Sequence, residues 1–320
     1  MPMHNEERKY RKLERKYRRE SAREKRVRLL RKYLPAALLI LAAAAIGIFL
    51  ILREKPKTDP PDNNSFSICV LDVGQGDAIL LRSQGHAALI DTGDYDQGRK
   101  IVRILKELGI QNLDCIINSH PHADHIGGMQ EILREIRTGQ VIIPEIPDAL
   151  IPDTPSFLHA LETAKKQNVP VRTAITHQII PFGEGEIELL GTDNSAREDL
   201  NNCSLTCIVR CGAFSFLSAG DLETEGEQAM LDAGLIPPVT FLKVSHHGSS
   251  SSTGEAFLAA AKPQAAVISV GAGNDYGHPA QTVLRRLNEA ACPVYRTDLD
   301  GSILIVTDGK TFRVQTHFQP

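Results

Sequence analysis

Ser119-His120-Pro121-His122-Ala123-Asp124-His125-Ile126-Gly127-Gly128 packs three histidines and one aspartate into six positions. The apolar run that precedes it, Leu113 to Asn118, reads as a strand, so the polar cluster falls in the loop at a strand's end. Imidazole and carboxylate at this density are the ligands that borderline and hard divalent ions take. Loops at strand ends are where a rigid scaffold presents such groups. The glycine pair that closes the stretch lets backbone approach closely, since neither residue carries a Cβ. A metal site is the first expectation.

Outward from this loop, other reactive side chains also fall just past apolar runs. Ser218-Ala219-Gly220-Asp221 ends one strand-like segment, Val244-Ser245-His246-His247-Gly248-Ser249 the next, and Asn274-Asp275-Tyr276-Gly277-His278-Pro279 follows a third. Leu71-Asp72-Val73-Gly74-Gln75-Gly76-Asp77 and Leu89-Ile90-Asp91-Thr92-Gly93 do the same earlier in the chain. His4, His86, His159, His177 and His317 lie in ordinary surface-like contexts and are given no role. The runs Ser65–Val73, Ala78–Arg82 and Ala87–Ile90 read as adjacent, mostly antiparallel strands between Gly-rich turns. Helical patterns are expected at Arg99–Leu108, Met129–Ile136, Thr154–Gln167, Gly226–Leu231, Gly254–Ala261 and Pro279–Ala290. Between and after them, strands are expected at Val141–Ile143, Ile187–Leu190, Ser204–Arg210, Phe214–Ser218, Thr240–Val244 and Ala265–Val270, then at Val294–Arg296, Ser302–Thr307 and Thr311–Gln315. Strand blocks with interspersed helices in each half imply an α/β fold of two sheets covered by helices, a four-layer sandwich.

The net charge of −3 conceals an asymmetry: residues 1–33 carry fourteen Lys/Arg and five Asp/Glu, a balance of +9, which leaves −12 on the remainder. Leu34 to Leu52 are nineteen positions without a charge, about 28 Å as a helix, near the thickness of a hydrocarbon core. A soluble helix of that length normally shows a polar face, and this one does not. The reading is a single transmembrane anchor (34–52) after a basic cytoplasmic segment (1–33), with a Pro- and Asn-containing linker (53–64) and a hydrolase-like domain (65–320) outside the cell membrane. A cleaved signal peptide is the rival, but no small-x-small site follows the apolar run; Arg53-Glu54-Lys55 follows directly. Anionic inner-leaflet lipid accounts for the basic block without invoking nucleic acid. The six cysteines are read as free thiols, because Cys203, Cys207 and Cys211 are spaced four apart on one strand, roughly 13 Å per step and too far to bridge.

Taken together, DVGQGDA, LIDTG, SHPHADHIGG, NNCS, AGD, HHGSSSS and YGHP resemble the metallo-β-lactamase superfamily, whose signature is HxHxDH with a distant Asp and His. More narrowly they resemble the metallo-hydrolase domain of ComEC/Rec2-type competence proteins, over about residues 66–310. The resemblance implies an αββα sandwich with two divalent ions, Zn²⁺ or Mn²⁺. His120 and His122 would hold the first ion, Asp124 and His125 the second, and Asp221 would bridge them. Two ions supply an activated hydroxide at neutral pH and stabilise the charge built up at phosphorus or carbon, with Asp124 and a general acid, His278, as catalytic groups. The remaining ligand is left among His246, His247 and His278, with His247 favoured; adjacent histidines at a strand end point oppositely, so one of the pair should face the metals. Asp91 is expected to orient the liganding histidines. Asp72, Gln75 and Asp77 resemble a family loop near the site, and Ser249 to Ser252 could meet phosphate.

One departure stands out. Asn201-Asn202 occupies the place of the superfamily's third histidine for the first ion, so that site is expected to be open or to favour Mn²⁺. The expected function is phosphodiester hydrolysis of DNA. The −12 balance runs against it, since nucleases usually need cationic grooves; residues such as Arg99, Lys100, Lys243 and Arg296 could line a local path, which the sequence does not itself show. Hydrolysis of a small-molecule or cell-envelope ester, a phosphodiester or a lactone, is the alternative. The full ligand set argues against a non-catalytic binding module. The multi-span channel part of a competence protein is not seen in this sequence.

Overall fold

The computed structural model describes Leu34, residues 65–195 and residues 197–319. Apart from Leu34, the expected basic segment, span and linker lie outside the described residues. Among the described residues no helix is long and apolar enough to cross a membrane.

Residues 65–319 belong to one compact unit. Its elements run β1 (Phe66–Val70), β2 (Ile79–Ser83), β3 (His86–Ile90), α1 (Gly98–Glu107), β4 (Asn112–Leu113), β5 (Cys115–Ile117), α2 (Ala123–Ile126), α3 (Met129–Glu135), β6 (Arg137–Thr138), β7 (Val141–Ile143), α4 (Pro155–Lys166), β8 (Val171–Thr173), β9 (Gln178–Phe182) and β10 (Gly185–Leu190). They continue as β11 (Thr206–Cys211), β12 (Phe214–Ser218), α5 (Thr224–Asp232), β13 (Phe241–Lys243), α6 (Glu255–Ala261), β14 (Ala265–Ile268), α7 (Gln281–Glu289), β15 (Val294–Arg296), α8 (Thr297–Asp300), β16 (Ile303–Thr307) and β17 (Phe312–Gln315). One sheet has the order β17-β16-β1-β2-β3-β5-β7-β8 and the other β15-β14-β13-β12-β11-β10-β9. In the first, pairing is antiparallel from β17 to β3 and parallel from β3 to β8. The second is parallel from β15 to β12 and antiparallel from there to β9.

Side-chain alternation along the strands explains the layering. Phe66, Ile68 and Val70 of β1 point into a core shared with Val209, Phe216 and Phe241 of the facing sheet. Cys69 and Leu71 point the other way, onto a second core closed by Ile101 and Leu105 of α1 and Ile132 of α3. The second sheet repeats the device, with Leu217 and Leu242 against Met230, Phe257 and Val283 of α5, α6 and α7. Strands buried on both faces read as continuous apolar runs, which is why they were legible in the sequence. Each fully buried large side chain contributes roughly 1.5–3 kcal/mol. The result is the expected four-layer αββα sandwich. All six cysteines are free and buried, Cys292 among them.

Several expected strands are shorter than their apolar runs: Thr240–Val244 narrows to β13, and Leu113–Asn118 divides between β4 and β5, which pair in different sheets. β1 stops at Val70, before the Asp72 carboxylate accepts from Gly74 N at 3.2 Å in a turn. β14 stops at Ile268, and beyond it Ser269 donates from Oγ to Gly76 O at 2.7 Å. Parallel strands β3, β5, β12, β13 and β14 deliver the reactive loops to one edge, the place where open α/β sheets bind ligands.

Candidate metal centre

The loop after β5 and the short α2 form one wall. Ser119, His120 and His125 are buried, and Asp124 and His122 are half-buried. The glycines serve this packing: a Cβ on Gly128 would collide with Thr92 O, and one on Gly76, at φ +135°, with Asp124 O. Asp77 N donates to the same Asp124 carbonyl at 3.1 Å, so the loop after β1 is tied to α2.

Asp91, just past β3, is the hub behind that wall. Its carboxylate accepts from Ser119 N (2.7 Å), Ser119 Oγ (2.6 Å) and Asn118 Nδ2 (3.0 Å). It also takes His125 Nδ1 at 2.9 Å, which turns His125 Nε2 toward the opposite wall. Asp221, after β12, supplies that wall, with Oδ2 3.2 Å from His125 Nε2. His247 Nε2 lies 3.4 Å from the same oxygen and 3.2 Å from Asp124 Oδ2. Its Nδ1 is 2.9 Å from the Ser269 carbonyl, which orients the ring. Asp124, His125, Asp221 and His247 thus place one ligand atom each within 4.8 Å of one another. Beside them, His120 Nε2 and His122 Nδ1 are 2.9 Å apart, and the His120 and His125 rings are 4.2 Å apart.

These spacings test whether the residues suit metal ions. Ligand bonds of about 2.0–2.2 Å to one ion bridge such gaps. His125 Nε2, His247 Nε2 and Asp221 Oδ1 are buried with no hydrogen-bond partner of ordinary geometry, a costly condition that an ion relieves. The donor set and the orphaned atoms fit a divalent centre. A second grouping, Asp77, Asp91 and His125, is already compensated: Lys243 Nζ pairs with Asp77, and His125 Nδ1 with Asp91.

Charge divides the site into two halves. Burial holds His120 and His122 below the usual imidazole range, His120 far below it. Burial pushes His125 the same way, yet Asp221, Asp124 and Asp91 raise it well above that range. His247 is also raised against burial, to about 10, by Asp221 and Asp77. Asp221 and Asp124 are held below the carboxylate range despite burial, by His125 first and then His247. One half presents neutral imidazoles; the other is an ion cluster in which two histidine protons stand where a cation fits.

The loop at 245–248 differs from expectation. It is a 3₁₀ turn, not a strand end, with His246 (φ 50°, ψ 47°) and His247 (φ 52°, ψ 20°) both left-handed. Strand alternation does not apply to them, and both rings reach the same carboxylate: His246 Nε2 is 3.7 Å from Asp221 Oδ2. His246 Nδ1 lies 3.0 Å from Glu223 Oε1, which also accepts from Ser251 Oγ at 2.8 Å. His278 stands farther out, its ring 5.7 Å from that of His246 and 6.5 Å from that of His247.

The other predicted residues are spread more widely. Asp77 is at the centre, beneath both liganding histidines. Gln75 Oε1 accepts from Gly271 N at 3.1 Å, clasping the loop after β14. Asp72 serves its own turn and takes the Lys100 ammonium on its carbonyl, away from the ligand cluster. Ser249 Oγ pairs with Ser251 Oγ at 2.9 Å. Asn202 faces away from the metals: its Oδ1 accepts from Gly226 N (2.8 Å) and Glu223 N (3.2 Å) in the first turn of α5. Asn201 is the neighbour of His122, meeting it side chain to side chain. Sequence spacing could not separate the two asparagines, because both lie in a 3₁₀ turn without a fixed face. Of the four cations that could have lined a path, Arg99 alone keeps an exposed side chain. Lys243 is buried on Asp77, Arg99 lies 3.6 Å from Glu131, Lys100 is on the Asp72 carbonyl, and Arg296 grips Asp298 at 2.6 and 3.0 Å.

Comparison with known proteins agrees with this geometry. Residues 71–272 match the family model described as the metallo-beta-lactamase superfamily. ComE operon protein 3 of Bacillus subtilis is 31% identical over 252 residues, covering 73% of this chain and 32% of that protein. Competence protein ComA of Neisseria gonorrhoeae is 29% identical over 282 residues, covering 84% of this chain and 37% of that one. The chain therefore spans about a third of the length of these curated relatives. Among solved structures, CmlA, a diiron beta-hydroxylase from Streptomyces venezuelae, superposes with a TM-score of 0.50 at 15% identity, over 78% of this chain and 55% of that one; this likeness is one of fold. By fold, by ligand constellation and by family match, the chain belongs to the metallo-beta-lactamase superfamily.

Proposed function

We propose that this chain is a metal-dependent phosphodiesterase acting on DNA, anchored by residues 34–52 with its N-terminus in the cytoplasm and its hydrolase domain outside the membrane. The observation that carries the reading is the convergence of Asp124, His125, Asp221 and His247 beside the His120–His122 pair. These six residues would hold two divalent ions, Zn²⁺ or Mn²⁺, which would supply an activated water and offset the charge that develops at phosphorus. The chain's own groups do the rest. Asp91 and the Ser269 carbonyl fix the ring orientations of His125 and His247, so the ligand nitrogens point inward. Asp124 is the one carboxylate of the cluster that is not fully buried, and as the catalytic carboxylate it accepts a hydrogen bond from the attacking water and orients it. His278, with Nδ1 lacking a partner, stands on the outer side to protonate the leaving oxygen. Burial, His246 and His247 lower its pKa, which makes its protonated form a stronger acid and a scarcer one.

DNA as substrate is supported by the name of a relative, a competence protein. The −12 balance beyond residue 33 and the burial of Lys243 on Asp77 favour a second reading, a small phosphodiester or lactone. The test is the full chain loaded with Mn²⁺ or Zn²⁺ and given plasmid DNA, bis-p-nitrophenyl phosphate and a lactone panel. DNA cleavage that is lost together with bound metal in His122→Ala and Asp221→Ala is the expected result. Lactone turnover without DNA cleavage would replace the first reading by the second, and full activity in both variants would remove the site assignment.

A further inference from the structure

The exposed side of the centre carries an aromatic feature that hydrolysis alone does not require. Tyr276 is 72% exposed, unusual for so large a ring in a loop that is otherwise well tied down. Its ring stacks on His278 at 5.7 Å and 25°. His278 in turn stacks on His247 at 6.5 Å and 26°. Both spacings fall in the range for offset aromatic pairs. The three rings form a ladder whose inner rung touches Asp124 and Asp221 and whose outer rung opens to solvent. Asn274 braces the ladder from behind: its Oδ1 accepts from Tyr276 N (3.1 Å) and His278 N (3.0 Å), while its Nδ2 donates to Gly271 O (3.0 Å) and His278 O (2.7 Å). The loop is therefore held in one shape before any substrate arrives. A rigid aromatic face costs little to order on binding.

We propose that Tyr276 is a stacking platform for a nucleobase of a single-stranded substrate, setting the strand one or two nucleotides from the phosphodiester at the metals. The inference rests on the phosphodiesterase reading and adds to it what the strand is held by. A π-face accepts any base, and it holds a strand without the cationic groove from which Lys243 is withdrawn onto Asp77. Tyr276 is a specificity residue here: it positions the strand and takes no part in bond cleavage.

The test measures binding and cleavage separately, with the full chain and two fluorescein-labelled single strands of equal length, one intact and one with its bases removed. In the wild type the intact strand is expected to bind about 5- to 150-fold tighter than the abasic one. That ratio should collapse toward one in Tyr276→Ala and return in Tyr276→Phe and Tyr276→Trp. Equal binding of the two strands by the wild type, or a ratio unchanged in Tyr276→Ala, overturns the platform. A ratio that behaves as expected while neither strand is cut supports the platform and counts against the phosphodiesterase reading. Failure to bind either strand overturns both.

Discussion

Lys243 offers the sharpest quantitative test of how the centre is built. It ends β13 with its side chain fully buried and its ammonium on Asp77, also fully buried. The same ammonium is 4.0 Å from Asp221 Oδ1 and donates to Gly220 O at 3.5 Å. Asp77 in turn lies 3.5 Å from His247 Nδ1 and 3.8 Å from His125 Nδ1. Lys243 is thus a fixed positive charge beside Asp77, Asp221 and Asp91, and Asp77 transmits it to His125 and His247. Lys243→Met keeps the aliphatic stem and removes the charge, leaving Asp77 buried without its main partner. Breaking a buried pair on one side costs about 3–5 kcal/mol. For a domain of this size that lowers Tm by roughly 6–20 °C. Asp77→Asn in the same background removes the stranded charge, so the double variant should lose less than the two single losses added, by about 2 kcal/mol or more. The assay is thermal and urea unfolding of the chelated full chain at pH 7. The lysine's pKa is raised above 10.5 by Asp77 and then Asp221, against burial. Its stabilisation is therefore fully present below about pH 10.5 and is lost as pH rises through the folded value. The reasoning fails if Lys243→Met unfolds within 1 kcal/mol of wild type, or if the single and double losses add.

Three further outcomes follow from neighbouring geometry. Asp91→Asn keeps the shape but loses the charge that turns His125 inward, so metal affinity should fall about 10- to 100-fold, read by competition with a zinc-binding chromophore. Asn202→Ala, which strips an acceptor from Gly226 N and Glu223 N, should cost about 1–2 kcal/mol in urea unfolding, whereas Asn201→Ala should change stability by under ~0.5 kcal/mol and lower metal retention. Glu227 accepts from Thr253 N and Gly254 N, yet burial pushes its carboxyl up to about 7. The folded state then binds a proton that the unfolded chain releases, so stability falls by about 3 kcal/mol as pH rises from 4.5 to 7. Glu227→Gln should flatten that part of the Tm–pH curve, and an unchanged slope would contradict it.

Much of the sandwich was legible because its inner strands are buried on both faces, and continuous runs such as Phe66–Val70 carry that signature without help from context. Of the strands missed, β6 is a two-residue strand outside the two main sheets, and β8 and β9 each form one edge of a main sheet. Val171–Thr173 is wholly exposed and Gln178–Phe182 buries only Phe182, so neither has a run to read. Placing the ligand loops past strand ends required only the end of each run, and the loops with Asp91, His120, Asp221 and His247 came out correctly placed. What the sequence could not convey is direction within short turns. Alternation assigns a face only while φ stays extended, and at His246 and His247 it does not. Both rings therefore face Asp221, and Asn201 rather than Asn202 adjoins His122.

Lys243 shows a deeper limit. In the sequence it is one more cation near the site, one of several that could line a basic path. A strand residue that is the right parity to face the centre can either reach solvent or stop beneath the carboxylates, and only the depth of the neighbouring loops decides between them. Here the loops after β1 and β12 close over it. The cation that looked available to a phosphate backbone is spent on holding Asp77 and Asp221 close enough together to share a site. Tyr276, uncharged and 72% exposed, is the group to which we assign substrate contact at this edge.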